Sequence, residues 1–135
     1  MKPFLDTNIL VYAALSDDPR RPTAERLLAA GGTISVLVLN EFANVARGKL
    51  KWPWPDIAAM LALVRGRSAQ VRDIPVSTHE GALALARDHG LSIDDALIVV
   101  SAIEAGCDTL YTEDMQHGRT IGDLAIVNPF LEGAP

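Results

Sequence analysis

Lys2-Pro3-Phe4-Leu5-Asp6-Thr7-Asn8-Ile9-Leu10-Val11-Tyr12-Ala13-Ala14-Leu15 decides the fold. Lys2–Leu5 reads as a short strand and Asn8–Leu15 as an apolar helix, so a strand gives way to a helix at an acidic residue, Asp6. The same succession recurs downstream. Pro22 at a first turn and Gly31-Gly32 past an end frame a helix over Thr23–Ala30. The β-branched run Thr33–Leu37 is a second strand, and Val38–Arg47 carries Leu39, Phe42, Ala43 and Ala46 at helical spacing. Lys49 to Pro55 is a connector, followed by a helix over Asp56–Val64 that Gly66 should stop. Gln70–Ile74 is a third strand. Ser77-Thr-His-Glu80 has the form of a capping box opening a helix that runs to Gly90. Ser92 opens another, extending to Ala105, and Asp108–Tyr111 and Leu124–Val127 are the last two strands.

Strands separated by helices need crossover connections, which predicts an α/β fold: a three-layer α/β/α sandwich around a mainly parallel, five-stranded sheet. With 135 residues, 49% of them apolar, the chain has the size and composition of a single domain over residues 1–135 with a covered sheet. No repeat, low-complexity tract or interdomain linker interrupts it. The longest apolar stretches, Ala96–Val100 and Ala58–Val64, fall far short of the roughly 18–20 residues of a membrane span. Asp6 lies too close to Met1 for a signal peptide to precede it, and the expected location is the cytoplasm, with no membrane partner. Cys107 is the only cysteine; it excludes an intrachain disulfide and a cysteine-based zinc site, and is expected to pack as a small apolar residue.

Four acids stand at junctions that a parallel sheet brings to its carboxyl edge, where ligands of such sheets bind. Asp6 ends the first strand, Glu41 lies in the opening turns of the helix after the second, Asp95 opens a helix, and Asp114 follows the fourth strand. Each has an ordinary alternative. Asp6 could cap its helix, Ser92-x-x-Asp95 resembles a capping box, Glu41 could be solvated, and Asp114 beside Glu113 could belong to a turn. Pooled, they need a further explanation: at about 4–5 Å and an effective dielectric near 20, each ionised pair costs roughly 3–4 kcal/mol. A divalent cation relieves that repulsion, and oxygen-only ligands select Mg²⁺ or Mn²⁺ over zinc. Such an ion activates water and neutralises a phosphodiester, so phosphodiester hydrolysis is the chemistry that fits best. The net charge of −5 speaks against a general nucleic-acid binder. Of 17 acidic residues, however, these four set aside leave 13 against 12 bases, and a polyanionic substrate is not excluded.

Asp6-Thr7-Asn8, the lone Glu41, Ser-Ile-Asp-Asp95-Ala and Leu-Tyr-Thr-Glu-Asp114 together resemble the PIN-domain ribonucleases. Gln116-His117-Gly118 and Ile126-Val-Asn-Pro-Phe130 are similar to the closing segments of the VapC toxins of bacterial toxin–antitoxin pairs. Each motif is weak alone; their order and spacing, spanning essentially the whole chain, make the set fairly specific. The resemblance implies that Asp6, Glu41, Asp95 and Asp114 are catalytic and hold Mg²⁺ or Mn²⁺, with Thr7, Asn8 and Thr112 as supporting polar groups. It further implies endonucleolytic RNA cleavage by metal-activated water, a homodimer, and silencing by a VapB-type antitoxin whose tail occupies a groove beside the site. One departure stands out. Some members carry another aspartate two residues past the position of Asp114, where this chain has Gln116, so a second metal position does not carry over.

Arg47, Lys49, Lys51 and His117 are candidate RNA contacts, against the duller reading of a solvated helix end and a surface histidine. Arg20 and Arg21 stand on the same footing. Trp52 and Trp54, interleaved with prolines, could stack a base, anchor a partner, or pin the connector to the domain. His79 and His89 have ordinary explanations at helix termini, and no Ser-His-Asp logic emerges. Two alternatives to the nuclease remain. One is a catalytically silent PIN-like module that binds a protein. The other is a phosphohydrolase with Asp6 as nucleophile, disfavoured because Asn8 stands where that chemistry wants a second acid.

Overall fold

The structure is a computed structural model that describes residues 1–131. Among these residues the chain forms β1 (Pro3–Leu5), α1 (Thr7–Ala14), α2 (Arg21–Ala29), β2 (Thr33–Ser35), α3 (Val36–Gly48) and α4 (Trp54–Arg67). There follow β3 (Gln70–Arg72), α5 (Val76–His89), α6 (Ile93–Glu104), β4 (Thr109–Tyr111), β5 (Thr120–Ile121) and β6 (Leu124–Val127). The sheet order is β3-β2-β1-β4-β6-β5, parallel throughout except where β5 pairs with β6. From β1 to β3 the chain steps outward in one direction, so right-handed crossovers lay α1–α4 on one face. The return to β4 runs the other way, and the same handedness lays α5 and α6 on the opposite face.

The expected mainly parallel sheet is present, with six strands instead of five. The sixth, Thr120–Ile121, is too short for any alternation to register, and it exists because the turn at Gly122, with φ +57°, folds it back onto Leu124–Val127. Strand β2 ends at Ser35 and not at Leu37: Val36 and Leu37 enter α3, where packing overrides their strand preference. Helix α4 starts at Trp54, with Pro53 as N-cap and Pro55 within the first turn, where a missing N–H removes no intrahelical bond. Gly66 does not stop it. An exposed glycine lowers helix preference by only about 1 kcal/mol, and Ser68 ends the helix with its hydroxyl donating to the Val64 carbonyl at 2.7 Å. The Ser77–Glu80 capping box is absent, because α5 begins at Val76 behind Pro75 and Ser77 already lies inside the first turn. Its neighbour Thr78 donates instead to Glu104 at 2.7 Å, tying α5 to α6.

Phe4, Leu5, Ile9, Leu10, Ile34, Val38, Phe42, Ile98, Leu110 and Ile126 are almost fully withdrawn from water. These side chains line both faces of the central strands, and each contributes roughly 1.5–3 kcal/mol of burial. Cys107 is free and buried among them, as a small apolar residue would be. Gly32 is required by contact: a Cβ there would stand 2.7 Å from the Leu5 side chain. The core therefore holds β1 and β4 rigidly side by side, and their carboxyl ends define one fixed edge.

Ser92 caps α6, its hydroxyl accepting from the Asp95 amide at 3.1 Å. Ser92→Ala should lower stability by about 1 kcal/mol, read as a drop of a few degrees in thermal unfolding.

Candidate active site

β1 continues into β2 on one side, while β4 is followed by strands on the other, so the chain's lateral direction reverses between β1 and β4. Such a switch point opens a crevice at the carboxyl ends of the two strands. In register, Leu5 pairs with Tyr111 and Phe4 with Thr33, which sets Asp6 between Thr112 and Ser35. Its amide bonds the Tyr111 carbonyl at 3.1 Å.

Asp6 is only 3% exposed. One carboxylate oxygen accepts the Thr7 amide at 2.7 Å and the other the Thr112 hydroxyl at 2.8 Å. Burial still dominates and pushes its pKa up to about 7; the two hydrogen bonds oppose this, and the charges of Asp114 and Glu41 add to it. Thr7 donates its hydroxyl to Glu41 at 2.7 Å, fastening α3 to α1. Asn8 donates its amide to Asp114 at 3.1 Å, and the Asp114 amide in turn donates to the Thr112 hydroxyl at 3.1 Å. Glu41 is raised by partial burial and by Asp94, Asp95 and Asp114 against the opposing Thr7 bond. Asp95 is raised by burial and Asp114, with Ser92 opposing and Asp94 adding. The four acids thus come from four separate stretches of chain, the charge of Asp114 reaches the other three, and Thr7, Asn8 and Thr112 tie Asp6, Glu41 and Asp114 together.

A cleft of about 400 Å³ has Thr7, Asn8, Tyr12, Glu41, Lys49 and Asp114 among its walls; of the four acids Glu41 and Asp114 line it, and Asp6 and Asp95 do not. Lys49 stands on the wall, whereas Arg47 is braced against the connector through the Trp52 carbonyl at 3.1 Å. Lys51 is exposed beyond it. His117 lies apart, its Nδ1 accepting the Asn128 amide at 2.9 Å, which leaves Nε2 facing outward. Arg20 is engaged locally: it pairs with Asp18 at 2.7 Å and Glu113 at 3.4 Å and stacks over Tyr12 at 3.6 Å. Arg21 pairs with Glu25.

Sequence reasoning gave no site role to three neighbours. Asp94 contributes to the potential at Glu41 and Asp95; its doubling of Asp95 was the available signal. Glu113 lines the cleft and accepts the Tyr12 hydroxyl, a long-range contact without a local signature. Ser35 is fully buried beside Asp6, and its hydroxyl lacks a partner among the described residues; ending a strand in the row of Asp6 was its only mark.

The donor set suits Mg²⁺ or Mn²⁺, being all oxygen and carrying charge that is costly without a counterion. As the side chains stand, no three acidic, histidine or cysteine groups among the described residues are placed to hold a metal ion together. Mg²⁺ keeps several waters and needs only one or two carboxylates in direct contact.

The PIN domain family model matches residues 4–121. The fold is similar to that of the VapC20 toxin of Mycobacterium tuberculosis, a toxin that cleaves the sarcin–ricin loop, at 22% identity over 84% of this chain and 90% of that one, with a TM-score of 0.69. It is also similar to VapBC2 of Rickettsia felis bound to promoter DNA, at 25% identity over 93% and 97% with a TM-score of 0.65. A toxin–antitoxin complex of Klebsiella pneumoniae matches at 21% identity over 92% and 96%, with a TM-score of 0.66. No curated protein matches the chain.

Proposed function

The chain belongs to the PIN-domain family, and from that membership we propose that it is a metal-dependent endoribonuclease and the toxin of a VapBC-type toxin–antitoxin pair. The observation that supports the proposal is the charge Asp114 exerts on Asp6, Glu41 and Asp95 beside a cleft that Glu41 and Asp114 line. The fold likeness to toxins and to toxin–antitoxin complexes supports the physiological setting. Among the described residues no helix is long and apolar enough to cross a membrane.

Asp6, Glu41, Asp95 and Asp114 would hold Mg²⁺ or Mn²⁺. When bound, the ion supplies charge neutralisation at a phosphodiester and lowers the pKa of water near the scissile bond. The chain's own residues do the rest. Thr112 and the Thr7 amide keep the Asp6 carboxylate in one rotamer, Thr7 orients Glu41, and Asn8 orients Asp114. Lys49 on the cleft wall and Arg47 and Lys51 beyond it offer positive charge to the RNA backbone, whose phosphates dominate affinity. A VapB-type antitoxin is the proposed partner, and it would silence the enzyme by covering the cleft. A homodimer in the cytoplasm is the proposed state.

The direct test is cleavage of single-stranded RNA with Mg²⁺ or Mn²⁺, and its loss with EDTA. A catalytically silent module predicts no cleavage with any divalent ion and no calorimetric signal for Mn²⁺. Thr112→Val keeps the shape of the side chain and removes the hydroxyl that bridges Asp6 and Asp114. It should lower kcat/KM about 10- to 100-fold, the usual effect of losing a group that orients metal ligands. Unchanged kinetics in that variant would remove Thr112 from its supporting role.

A further inference from the structure

The Trp52-Pro53-Trp54-Pro55 segment places its two indoles in opposite environments. Trp52 turns inward, packing edge-on against Phe42 with ring centroids 6.0 Å apart, and its amide bonds the Ala46 carbonyl at 2.9 Å. Trp54 turns outward and is 60% exposed. Lys51, with φ +60°, is the only non-glycine residue of the described chain with a positive φ, and it makes the turn that leads into this segment. Such a conformation costs a lysine on the order of 1–2 kcal/mol. The turn closes α3, the Val45 carbonyl accepting the Lys49 and Leu50 amides and the Ala46 carbonyl the Trp52 amide, and it leaves Trp54 outward.

Arg47 explains what is exposed. Its guanidinium donates to the Trp52 carbonyl and lies over the Trp54 ring, 5.0 Å from the centroid. Pro53 and Pro55 restrict the backbone on either side of Trp54, at the start of α4. The indole is therefore braced and loses little freedom when something stacks on it. Its surroundings are cationic: Arg47, Lys49 and Lys51 against Asp56 in the first turn of α4. An exposed aromatic ring with cationic side chains close to it in the chain is an arrangement by which proteins hold single-stranded nucleic acid. The platform is joined to the cleft through the end of α3. Arg47 lies two residues before Lys49, which lines the cleft with Glu41 and Asp114.

We propose that the Trp54 ring, braced by Arg47, is a stacking platform for one unpaired base of the RNA substrate, within a few nucleotides of the bond that is cut. This rests on the nuclease reading and specifies the substrate further, as RNA that is single-stranded next to the cleavage site. Charge and ring together favour RNA over an acidic protein segment: Arg47, Lys49 and Lys51 suit phosphates, and the exposed indole face suits a base.

The test uses the full-length Asp6→Asn protein, which keeps RNA intact, with Trp52→Phe added so that Trp54 is the sole indole. Short single-stranded oligouridylate should quench Trp54 emission saturably. In the Asp6→Asn protein, Trp54→Ala should weaken binding of the same RNA about 5- to 150-fold, the range for one lost base–aromatic stack, followed by fluorescence anisotropy of labelled RNA. Trp54→Phe should lose less, and a single abasic nucleotide should weaken binding at one position near the cut. In the active protein, Trp54→Ala should raise KM. Unaltered RNA affinity in a folded Trp54→Ala protein overturns the proposal. So does quenching produced by the cognate antitoxin and not by RNA, which assigns the face to a protein partner. If the parent protein cuts no RNA while Trp54 still binds oligouridylate, the nuclease reading fails and the platform stands; cutting that is indifferent to Trp54 fails the platform alone.

Discussion

Asp6→Asn is expected to lower RNA cleavage by about a thousandfold or more, beyond the hundred- to thousandfold that removing one oriented electrostatic group costs, while the protein stays folded. Asparagine keeps an oxygen for the Thr7 amide and fills the same space, so the entry into α1 survives. The variant should not be destabilised without metal. A carboxyl raised from 3.8 to about 7 withholds up to about 4 kcal/mol from the apoprotein once the pH lies above both values. Asparagine removes that penalty, offset in part by placing an amide nitrogen where the Thr112 hydroxyl now donates. Thermal unfolding at pH 8 in EDTA should therefore give the variant a Tm equal to or above that of the parent. A variant with full activity would remove Asp6 from the site; one that unfolds would make Asp6 a structural cap.

The second large effect is a metal-linked pH dependence. Between pH 3.8 and about 7 the native protein retains a proton on Asp6 that the unfolded chain has released. The unfolded state then binds fewer protons, so the stability of the apoprotein falls as pH rises through this window and levels off above it. Glu41 and Asp95, also raised, act with the same sign. A divalent ion favours the ionised forms and opposes the loss. Mn²⁺ should raise Tm strongly at pH 8 and less at pH 6, and its apparent affinity should fall about tenfold per pH unit below 7 as it competes with the Asp6 proton. The same Mn²⁺ response at both pH values would show that the ion does not displace that proton.

Much of the fold was readable because its signals are local. The apolar run at Lys2–Leu5, Gly90 with φ +68° closing α5, and Ser92 capping α6 each act within a few residues. Reading failed where a distant contact or a stronger neighbouring signal decided the outcome. Val36 and Leu37 have strand-forming side chains but lie past the sheet edge, and Ser77 resembles a cap although Pro75 starts the helix. At the site, acids at strand-to-helix junctions were legible from topology, since a parallel sheet sends every such junction to one edge. The bonds that orient them were legible only in part. Thr7 and Asn8 adjoin Asp6 in sequence, but their partners Glu41 and Asp114 lie 34 and 106 residues away. No periodicity specifies such pairings, and none separates the inward Trp52 from the outward Trp54.

Crystals grown with Mn²⁺ and measured at the manganese absorption edge test the shared site most directly. The anomalous map should show an ion among Asp6, Glu41, Asp95 and Asp114, absent from the Asp6→Asn protein. Saturating Mn²⁺ bound elsewhere, with those four carboxylates free of it, would contradict a metal centre built by pooling their charge.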